Sequence, residues 1–423
     1  MSGSWLDLPD HHAWLAAEEA RLTGFAAASA LNGGGFAWLN SSGRPDPGRP
    51  VMTWITARMT HVYAMAHLRG EPGAGTLADC GLAALRGPLR DSVHGGWFPG
   101  MTVQESSPEP IDTTKAAYEH AFVLIAASSA TAAERPGAVD LLADALGVVE
   151  DRFWDDTAGM CRESWDRSWS QSEPYRGANS NMHMIEAFLA AGDATGDPVW
   201  HRRALRIAER IVHQVAAGHD WRLVEHFTPD WEPDLDYNID DKHHQFRPYG
   251  TTVGHWLEWS RLLLHLDATL AAGPEGALGT VPEWLLTDAV ALFDAAVERG
   301  WGVDGADGFV YTLDWQDQPV VRERMHWVIA EAILAAAALC KRTGESRFEH
   351  WYRAWWDYAA HYHIDRVEGS WHHELDSANR PSQTVWPGKP DIYHAYQATV
   401  LPRLPLAPSP GAALRRILED ERA

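Results

Sequence analysis

Hydrophobic and polar positions along the chain repeat with a period of about 62 residues. Each copy begins with a short turn-and-strand element, and six such elements are present, at residues 35–38, 96–98, 159–163, 221–225, 308–311 and 369–374. Neighbouring copies are 61, 63, 62, 87 and 62 residues apart, so only the fourth interval carries an insertion. A polar loop and a long segment with apolar residues at helical spacing follow each element, and then a second helix. The pattern predicts two helices per repeat and twelve in all.

A two-helix unit with apolar faces cannot bury those faces alone, so its copies must stack. Six copies can close into a ring, and we predict an all-α fold of the (α/α)6 barrel class with short β-hairpin loops at one end, in a single domain over residues 1–423. An open solenoid is the alternative, although such repeats are shorter, at about 34 to 47 residues. The insertion near residues 268–285, including 272–277, is predicted to be a surface excursion without a chemical role.

Composition and charge exclude several classes of protein. With 45% apolar and 22% charged residues, the chain has the composition of a globular protein with a large core. A net charge of -23 repels phosphate backbones, so we expect no nucleic-acid partner. The three cysteines form no CxxC pair, which argues against a disulfide framework and a thiolate zinc site and fits a reducing cytoplasm. No leader-like or membrane-spanning segment is apparent, so we expect no membrane partner.

Polar and aromatic residues are concentrated where the loops lead into the first helix of each pair. If all six loops line one cavity, these junctions should hold the chemistry. Trp is unusually frequent, with 22 residues, and its flat face suits both a core and the C–H face of a sugar. The candidate residues at the junctions are Trp54, Arg58, Tyr118, Asn179, His183, His255, Glu258, His326, Trp327, Glu331, Trp386 and His394.

Histidines stand at these junctions in four of the six repeats, at what we take to be equivalent positions. Imidazole titrates near neutrality, so it can both take and return a proton at physiological pH. Glu258 and Glu331 are within reach and could hold each imidazole in one tautomer. A single histidine at a helix start is more often a cap or a buried polar group, but four together favour catalysis.

Two further features concern the partners of charged and paired side chains. Arg58 stands on an apolar helical face beside Trp54, so it needs an anionic or oxygen-rich partner, which a carboxylate or a sugar oxygen would supply. The adjacent pairs His243-His244 and His372-His373 would point to opposite faces if extended, and no HExxH spacing is present. We therefore predict no metal and no cofactor.

Four motifs resemble the N-acylglucosamine 2-epimerase superfamily, most closely its D-mannose isomerase branch and similarly its sulfoquinovose isomerases. They are the segments 179–188, 254–259, 324–331 and 388–395. The resemblance covers most of the chain, from about residue 54 to residue 397, and it implies the same barrel. It also implies that His255 and His394 are the acid/base pair, that Arg58, Asn179, His183 and Glu258 bind the sugar, and that Trp54 forms a pocket wall.

The resemblance implies an enzyme that interconverts D-mannose and D-fructose, with D-lyxose and D-xylulose as a second pair to consider. The chemistry would pass through a cis-enediolate, with histidine as the proton carrier. The residue types equally permit a sugar 2-epimerase, which returns the proton to the opposite face of C2. The expected partner is a monosaccharide, and the expected state is a monomer or a homodimer.

Two other functions are open from the residues alone. An inverting glycoside hydrolase would need two facing carboxylic acids, about 6.5 to 9.5 Å apart. Asp112, Glu258, Glu331 and Asp391 are the residues that could supply them. A sugar- or protein-binding member without catalysis is the other alternative.

Overall fold

The structure, a computed structural model, describes residues 4–103, 108–273 and 280–422. These residues form thirteen α-helices: α1 (Pro9–Ala26), α2 (Thr53–Leu68), α3 (Ala74–Arg86), α4 (Ala117–Ala132), α5 (Ala138–Val148), α6 (Ala178–Thr195), α7 (Val199–Ala208), α8 (Val253–Ala272), α9 (Trp284–Gly300), α10 (His326–Thr343), α11 (Ser346–Tyr358), α12 (Tyr393–Val400) and α13 (Pro410–Arg422). The all-α class is as predicted. The described residues hold one helix more than predicted, because α1 precedes the first turn-and-strand element.

The strands are two or three residues long. They are β1 (Val51–Met52), β2 (Gly100–Met101), β3 (Lys115–Ala116), β4 (Trp154–Asp155), β5 (Met160–Cys161), β6 (Ser164–Trp165), β7 (Arg176–Gly177), β8 (His226–Phe227), β9 (Thr251–Thr252), β10 (Thr312–Leu313), β11 (Pro319–Val321), β12 (Arg324–Met325) and β13 (Glu374–Leu375). Several of them end directly before a first helix and pair with the next hairpin. For example, antiparallel β1 and β2 place Val51 opposite Met101, and β12 and β13 place Met325 opposite Glu374.

The chain divides into two compact units, each built from several segments. Unit 1 comprises Met1–Phe25, Ala208–Lys389 and His394–Leu406, and unit 2 comprises Ala26–Ile207, Pro390–Tyr393 and Ala407–Ala423. In unit 2, α2 packs on α3 and α4, α4 packs on α5 and α6, and α13 contacts α2, α4 and α6. In unit 1, α8 packs on α9 and α10, and α10 packs on α11. The prediction of one domain stays a prediction.

The first helices of the pairs differ from the second helices in burial. Most residues of α2, α4 and α10 are buried, whereas α3, α5 and α11 each keep an exposed face. A helix that is apolar on all sides belongs in a core, and an amphipathic helix belongs at a surface. None of the described helices is long and apolar enough to cross a membrane.

Three hairpins are tied to the start of a first helix by a buried ion pair between an aspartate of the turn and a cation just before the helix. The pairs are Asp91–Lys115 at 3.0 Å, Asp304–Arg324 at 2.6 Å and Asp365–Lys389 at 2.6 Å. Lys389 Nζ also donates to the carbonyl of Gly369 within the same turn. The loops are thereby fixed against the helix starts that carry the candidate site residues.

The predicted insertion lies between α8, which ends at Ala272, and α9, which begins at Trp284. Residues 274–279 lie outside the described residues. The rest of the interval follows the predicted order of helices.

Candidate active site

His255 is the third residue of α8 and forms a pair with Glu225 from the preceding hairpin. Its Nδ1 lies 3.0 and 2.9 Å from the two carboxylate oxygens of Glu225, and both side chains are buried. Since a carboxylate only accepts, Nδ1–H is the donor and the lone pair for proton exchange is on Nε2. Glu225, rather than Glu258 or Glu331, is therefore the carboxylate that holds this imidazole.

Glu225 is a residue that the sequence reasoning missed, because it lies in a turn-and-strand element for which no chemistry is predicted. A signal is present, since three of the six elements end in a glutamate: Glu163, Glu225 and Glu374. Glu163 accepts a hydrogen bond from Ser180, the third residue of α6, as Glu225 does from the third residue of α8. The hairpin glutamate therefore faces the start of the following helix in both repeats.

His394 is the second residue of α12, and its Nδ1 donates to Glu331 at 2.8 Å, as expected. Glu331 is fully buried and also accepts from Arg261 Nε at 2.7 Å. Burial alone would raise the pKa of Glu331, but the Arg261 charge and the hydrogen bond from His394 outweigh burial and hold that pKa below its usual value. The carboxylate therefore stays ionised and fixes His394 as the Nδ1–H tautomer.

Arg261 joins two buried carboxylates, because its Nη2 lies 3.6 Å from Glu258 as well. Ligand atoms of Glu258, Glu331 and His394 lie within 4.8 Å of one another, a spacing that could suit a metal ion. The guanidinium already supplies a positive charge to both carboxylates. The two carboxylates thus already have Arg261 as their positive partner, and His394 is already hydrogen-bonded to Glu331.

Trp327 contacts both histidine pairs. Its ring centroid lies 5.2 Å from that of His255 and 5.8 Å from that of His394. Gly254 makes this packing possible, since a Cβ there would lie 2.5 Å from two atoms of the Trp327 ring. An indole face bordered by two imidazoles suits the C–H face of a sugar.

His326, the first residue of α10, stacks on His373 with ring centroids 3.7 Å apart. Burial, reinforced by the neighbouring histidines, holds the pKa of His326 well below its usual value, so the ring is neutral near pH 7. Its Nε2 is buried and has no hydrogen-bond partner among the described residues. A neutral imidazole of this kind can donate to or accept from a hydroxyl group.

The four junction histidines do not occupy equivalent helical positions. His326, His394 and His255 are the first, second and third residues of their helices, and His183 is the sixth of α6. The prediction that they occupy equivalent positions is therefore wrong in register. All four nevertheless lie within the first two helical turns.

Trp386 is held by its loop in unit 1. Its backbone N–H donates to Glu374 at 2.8 Å, and its ring packs edge-on against Phe246 at 5.3 Å. Glu374 also accepts from the backbone of Val385, so one buried carboxylate fixes the loop that carries the indole.

In unit 2, Arg58 has the oxygen-rich partners that its apolar helix face requires. Its Nη1 lies 3.3 Å from Asp391, and its Nη2 donates to the Tyr118 hydroxyl at 3.0 Å. Aromatic rings surround the guanidinium, with centroids 4.3 Å away for Phe122, 5.0 Å for Tyr393 and 5.1 Å for Trp54. The cation is fixed in place by charge and by ring contacts together.

His183 and Asn179 lie on α6 of the same unit. The His183 ring packs against Phe122 at 4.6 Å and Tyr118 at 5.3 Å, and its Nδ1 lies 3.9 Å from Glu186. Asn179 is half-buried, and its Oδ1 has no hydrogen-bond partner among the described residues. Arg58, Tyr118 and His183 thus form one connected cluster, with Asn179 one turn before His183.

Comparison with known proteins gives consistent matches over most of the chain. The family model for N-acylglucosamine 2-epimerase (GlcNAc 2-epimerase) matches residues 34–398. A D-mannose isomerase of Thermobifida fusca is 61% identical over 98% of this chain and 99% of its own length. One of Pseudomonas cannabina pv. alisalensis is 53% identical over 97% of both chains.

A solved structure of a D-mannose isomerase superposes with a TM-score of 0.83 at 28% identity, covering 92% of this chain and 96% of that one. The match confirms the fold class predicted from the repeats, the all-α (α/α)6 barrel. The resemblance drawn from the four motifs is confirmed as well, and the chain belongs to the N-acylglucosamine 2-epimerase family.

Proposed function

We propose that this protein is an aldose–ketose isomerase that interconverts D-mannose and D-fructose. Two relatives that match nearly its full length, at 61% and 53% identity, are D-mannose isomerases. The observation that carries the proposal is the pair of buried histidine–glutamate contacts, whose two imidazoles both contact Trp327. Each presents an imidazole whose Nδ1–H is engaged and whose Nε2 can exchange a proton.

The reaction follows from this arrangement. In the open-chain aldose, the C1 carbonyl acidifies the hydrogen on C2, and a neutral imidazole removes it at Nε2. The C2–H electrons form the C1=C2 bond of a cis-enediolate, and O1 takes a proton from an acidic group. The hydroxyl on C2 then loses its proton and becomes the ketose carbonyl, while the imidazolium returns a proton to C1. His255 and His394 are the proposed acid/base pair.

The other site residues would bind and orient the sugar. Arg58, already fixed by Asp391 and Tyr118, would stabilise negative charge on a substrate oxygen. The other proposed binding groups are Trp54, Tyr118, Asn179, His183, Glu258, His326, Trp327 and Trp386, with Glu331 acting through His394.

Further parts of the proposal concern partners and location. We propose that the reaction needs no metal, because Arg261 supplies positive charge to Glu258 and Glu331; activity after dialysis against a chelator tests this. Three unpaired cysteines support a cytoplasmic protein, and the charge of -23 supports the absence of a nucleic-acid partner. We propose a monomer or a homodimer, which sedimentation would distinguish.

Incubation with D-mannose in D₂O, followed by NMR, tests the reaction itself. We expect D-fructose as the main product, with deuterium incorporated at the exchanging carbon. Glucose as the main product would instead indicate a 2-epimerase, and neither product nor exchange would refute both. His394→Ala should reduce turnover by about 10² to 10⁴, the usual contribution of a positioned acid/base group.

A glycoside hydrolase fits the geometry less well. An inverting hydrolase needs one carboxylic acid in its protonated form, about 6.5 to 9.5 Å from the other. Glu258 and Glu331 instead share one guanidinium and have oxygens within 4.8 Å, and the Arg261 charge helps to hold the pKa of Glu331 down. Glu331 is therefore not suited to act as a general acid.

A further inference from the structure

The two histidine–carboxylate pairs of unit 1 differ in how the carboxylate is itself held. Glu331 is bound by Arg261, so part of its negative charge is neutralised. Glu225 accepts only from His255 Nδ1 and, at 3.1 Å, from the backbone N–H of Thr252 in the described part of the chain. No cation of the described residues forms an ion pair with Glu225 other than His255 itself when that histidine is protonated.

The position of Glu225 makes this contact rigid. Thr252 is the residue before α8, so its N–H is one of the donors that a helix leaves unsatisfied at its start. One oxygen of Glu225 takes that donor, and both oxygens lie within 3.0 Å of Nδ1 of His255. The same carboxylate therefore fixes the helix start and the imidazole three residues later.

We infer that Glu225 is a positioning residue for catalysis: it holds His255 as the Nδ1–H tautomer with Nε2 facing the substrate, and it stabilises the imidazolium formed when Nε2 takes a proton. The inference rests on the proposed function. No proton passes to Glu225, because Nδ1–H remains on the ring throughout and only Nε2 gains or loses a proton. Carboxylate–imidazole pairs of this kind orient the ring and favour its charged form.

The equivalent glutamates show what is specific to this repeat. Glu163 accepts from Ser180, and Glu374 accepts from Thr384 and from the backbone of Trp386, and none of these three donors titrates near neutrality. Glu225, by contrast, accepts from a histidine. The hairpin glutamate therefore fixes a helix start or a loop in the other two repeats, whereas in this repeat it holds a proposed acid/base histidine.

Glu225→Gln tests the inference, because glutamine keeps an acceptor oxygen but removes the charge. We expect kcat for D-mannose to fall by about 10 to 100-fold, with KM within about threefold of the wild type. Among the described residues, Glu225 and the uncharged Trp327 contact the His255 ring, and His226 beside Glu225 has a pKa lowered by burial. With the negative charge removed, the acidic limb of the kcat/KM profile should move to lower pH.

Asp288→Asn is the matched control. Asp288 is buried and accepts from Nδ1 of His213 at 2.8 Å in the same unit, in a pair that contains none of the proposed site residues. Its substitution should lower the unfolding temperature but leave kcat and the pH profile unchanged. A purely structural role for Glu225 would give the same result in both variants, and that outcome would overturn the inference.

Glu225→Asp gives a second reading if the glutamine variant does not fold. Aspartate keeps the negative charge, but its side chain is one methylene shorter, so the carboxylate lies farther from His255. We therefore expect kcat to fall while the acidic limb of the kcat/KM profile stays at the same pH. Wild-type kcat in either variant would also overturn the inference. Deuterium exchange at C2 of the substrate is measured in parallel, so that Glu225 can be assessed even if the wild type produces glucose and the isomerase proposal fails.

Discussion

Gly254→Ala tests whether Trp327 must sit where the structure has it. Gly254 is the second residue of α8, so alanine suits its backbone and the effect comes from the side chain alone. An added Cβ would lie 2.5 Å from two ring atoms of Trp327 and 2.6 Å from Val328 Cγ2. Ordinary contact begins at 3.4 Å, so the indole has to move by about 1 Å.

The size of the effect follows from that displacement. Overpacking of this kind costs about 1–3 kcal/mol of stability, offset by about 0.5–1 kcal/mol because alanine is a better helix residue than glycine. The net loss is about 0–2.5 kcal/mol, too small to unfold the protein. A misplacement of about 1 Å near reacting groups can reduce activity by about 10², so kcat/KM for D-mannose should fall far more than stability does.

Kinetics at 25 °C and thermal unfolding of the same samples check this expectation. Gly218→Ala is the control, because nothing lies within 4 Å of a Cβ at that exposed position in the same unit. Trp327→Leu should relieve the contact with the ring but not the contact with Val328, so adding Gly254→Ala to that variant should reduce stability and kcat/KM by less than it does in the wild type. Wild-type kcat/KM in Gly254→Ala would refute the argument that Trp327 forms part of the site.

Three further predictions concern buried charge. Glu331→Gln should lower kcat by about 10² at saturating D-mannose, because His394 loses the carboxylate that orients it; an unchanged kcat would exclude that role. Lys115→Met should cost about 1.5–3 kcal/mol in urea unfolding, because Asp91 loses one charged hydrogen-bond partner but keeps Arg167 at 3.0 Å; the double variant with Asp91→Asn should lose less than the sum of the two single losses. Burial lowers the pKa of His61 to about 4, of His120 to about 3 and of His363 to about 4, whereas each has a pKa near 6.5 in the unfolded chain. The contribution of these histidines to the free energy of unfolding is therefore complete above pH 6.5. It is lost as the pH falls towards 4, by up to about 1.4 kcal/mol per pH unit for each histidine. Equal urea stability at pH 7 and pH 5 would contradict this.

The sequence predicts the fold well because the repeat is a property of helix faces. The first helices are apolar on all sides and the second helices on one, a difference that burial imposes directly on residue type. The repeat does not predict the extra helix α1, which precedes the first turn-and-strand element and belongs to no copy of the pattern, although its Glu18 accepts a hydrogen bond from Trp371 of the sixth element. Period alone therefore cannot reveal an element that packs on the repeats from outside the pattern.

The sequence predicts site residues only where a reactive side chain also lies at a helix start that the repeat marks. His255 stands out as an ionisable residue in an apolar segment, but Glu225 lies 30 residues earlier in a hairpin and has no periodic relation to it. The role of Gly254 could not be predicted from the sequence either, because it depends on the Trp327 ring, which belongs to another helix. Sequence thus identifies the groups that can carry a proton, whereas packing decides which carboxylate and which indole each of them meets. The sequence does hold one signal for Glu225: three of the six turn-and-strand elements end in a glutamate, so comparing the repeats with one another points to Glu225 before any distance is measured.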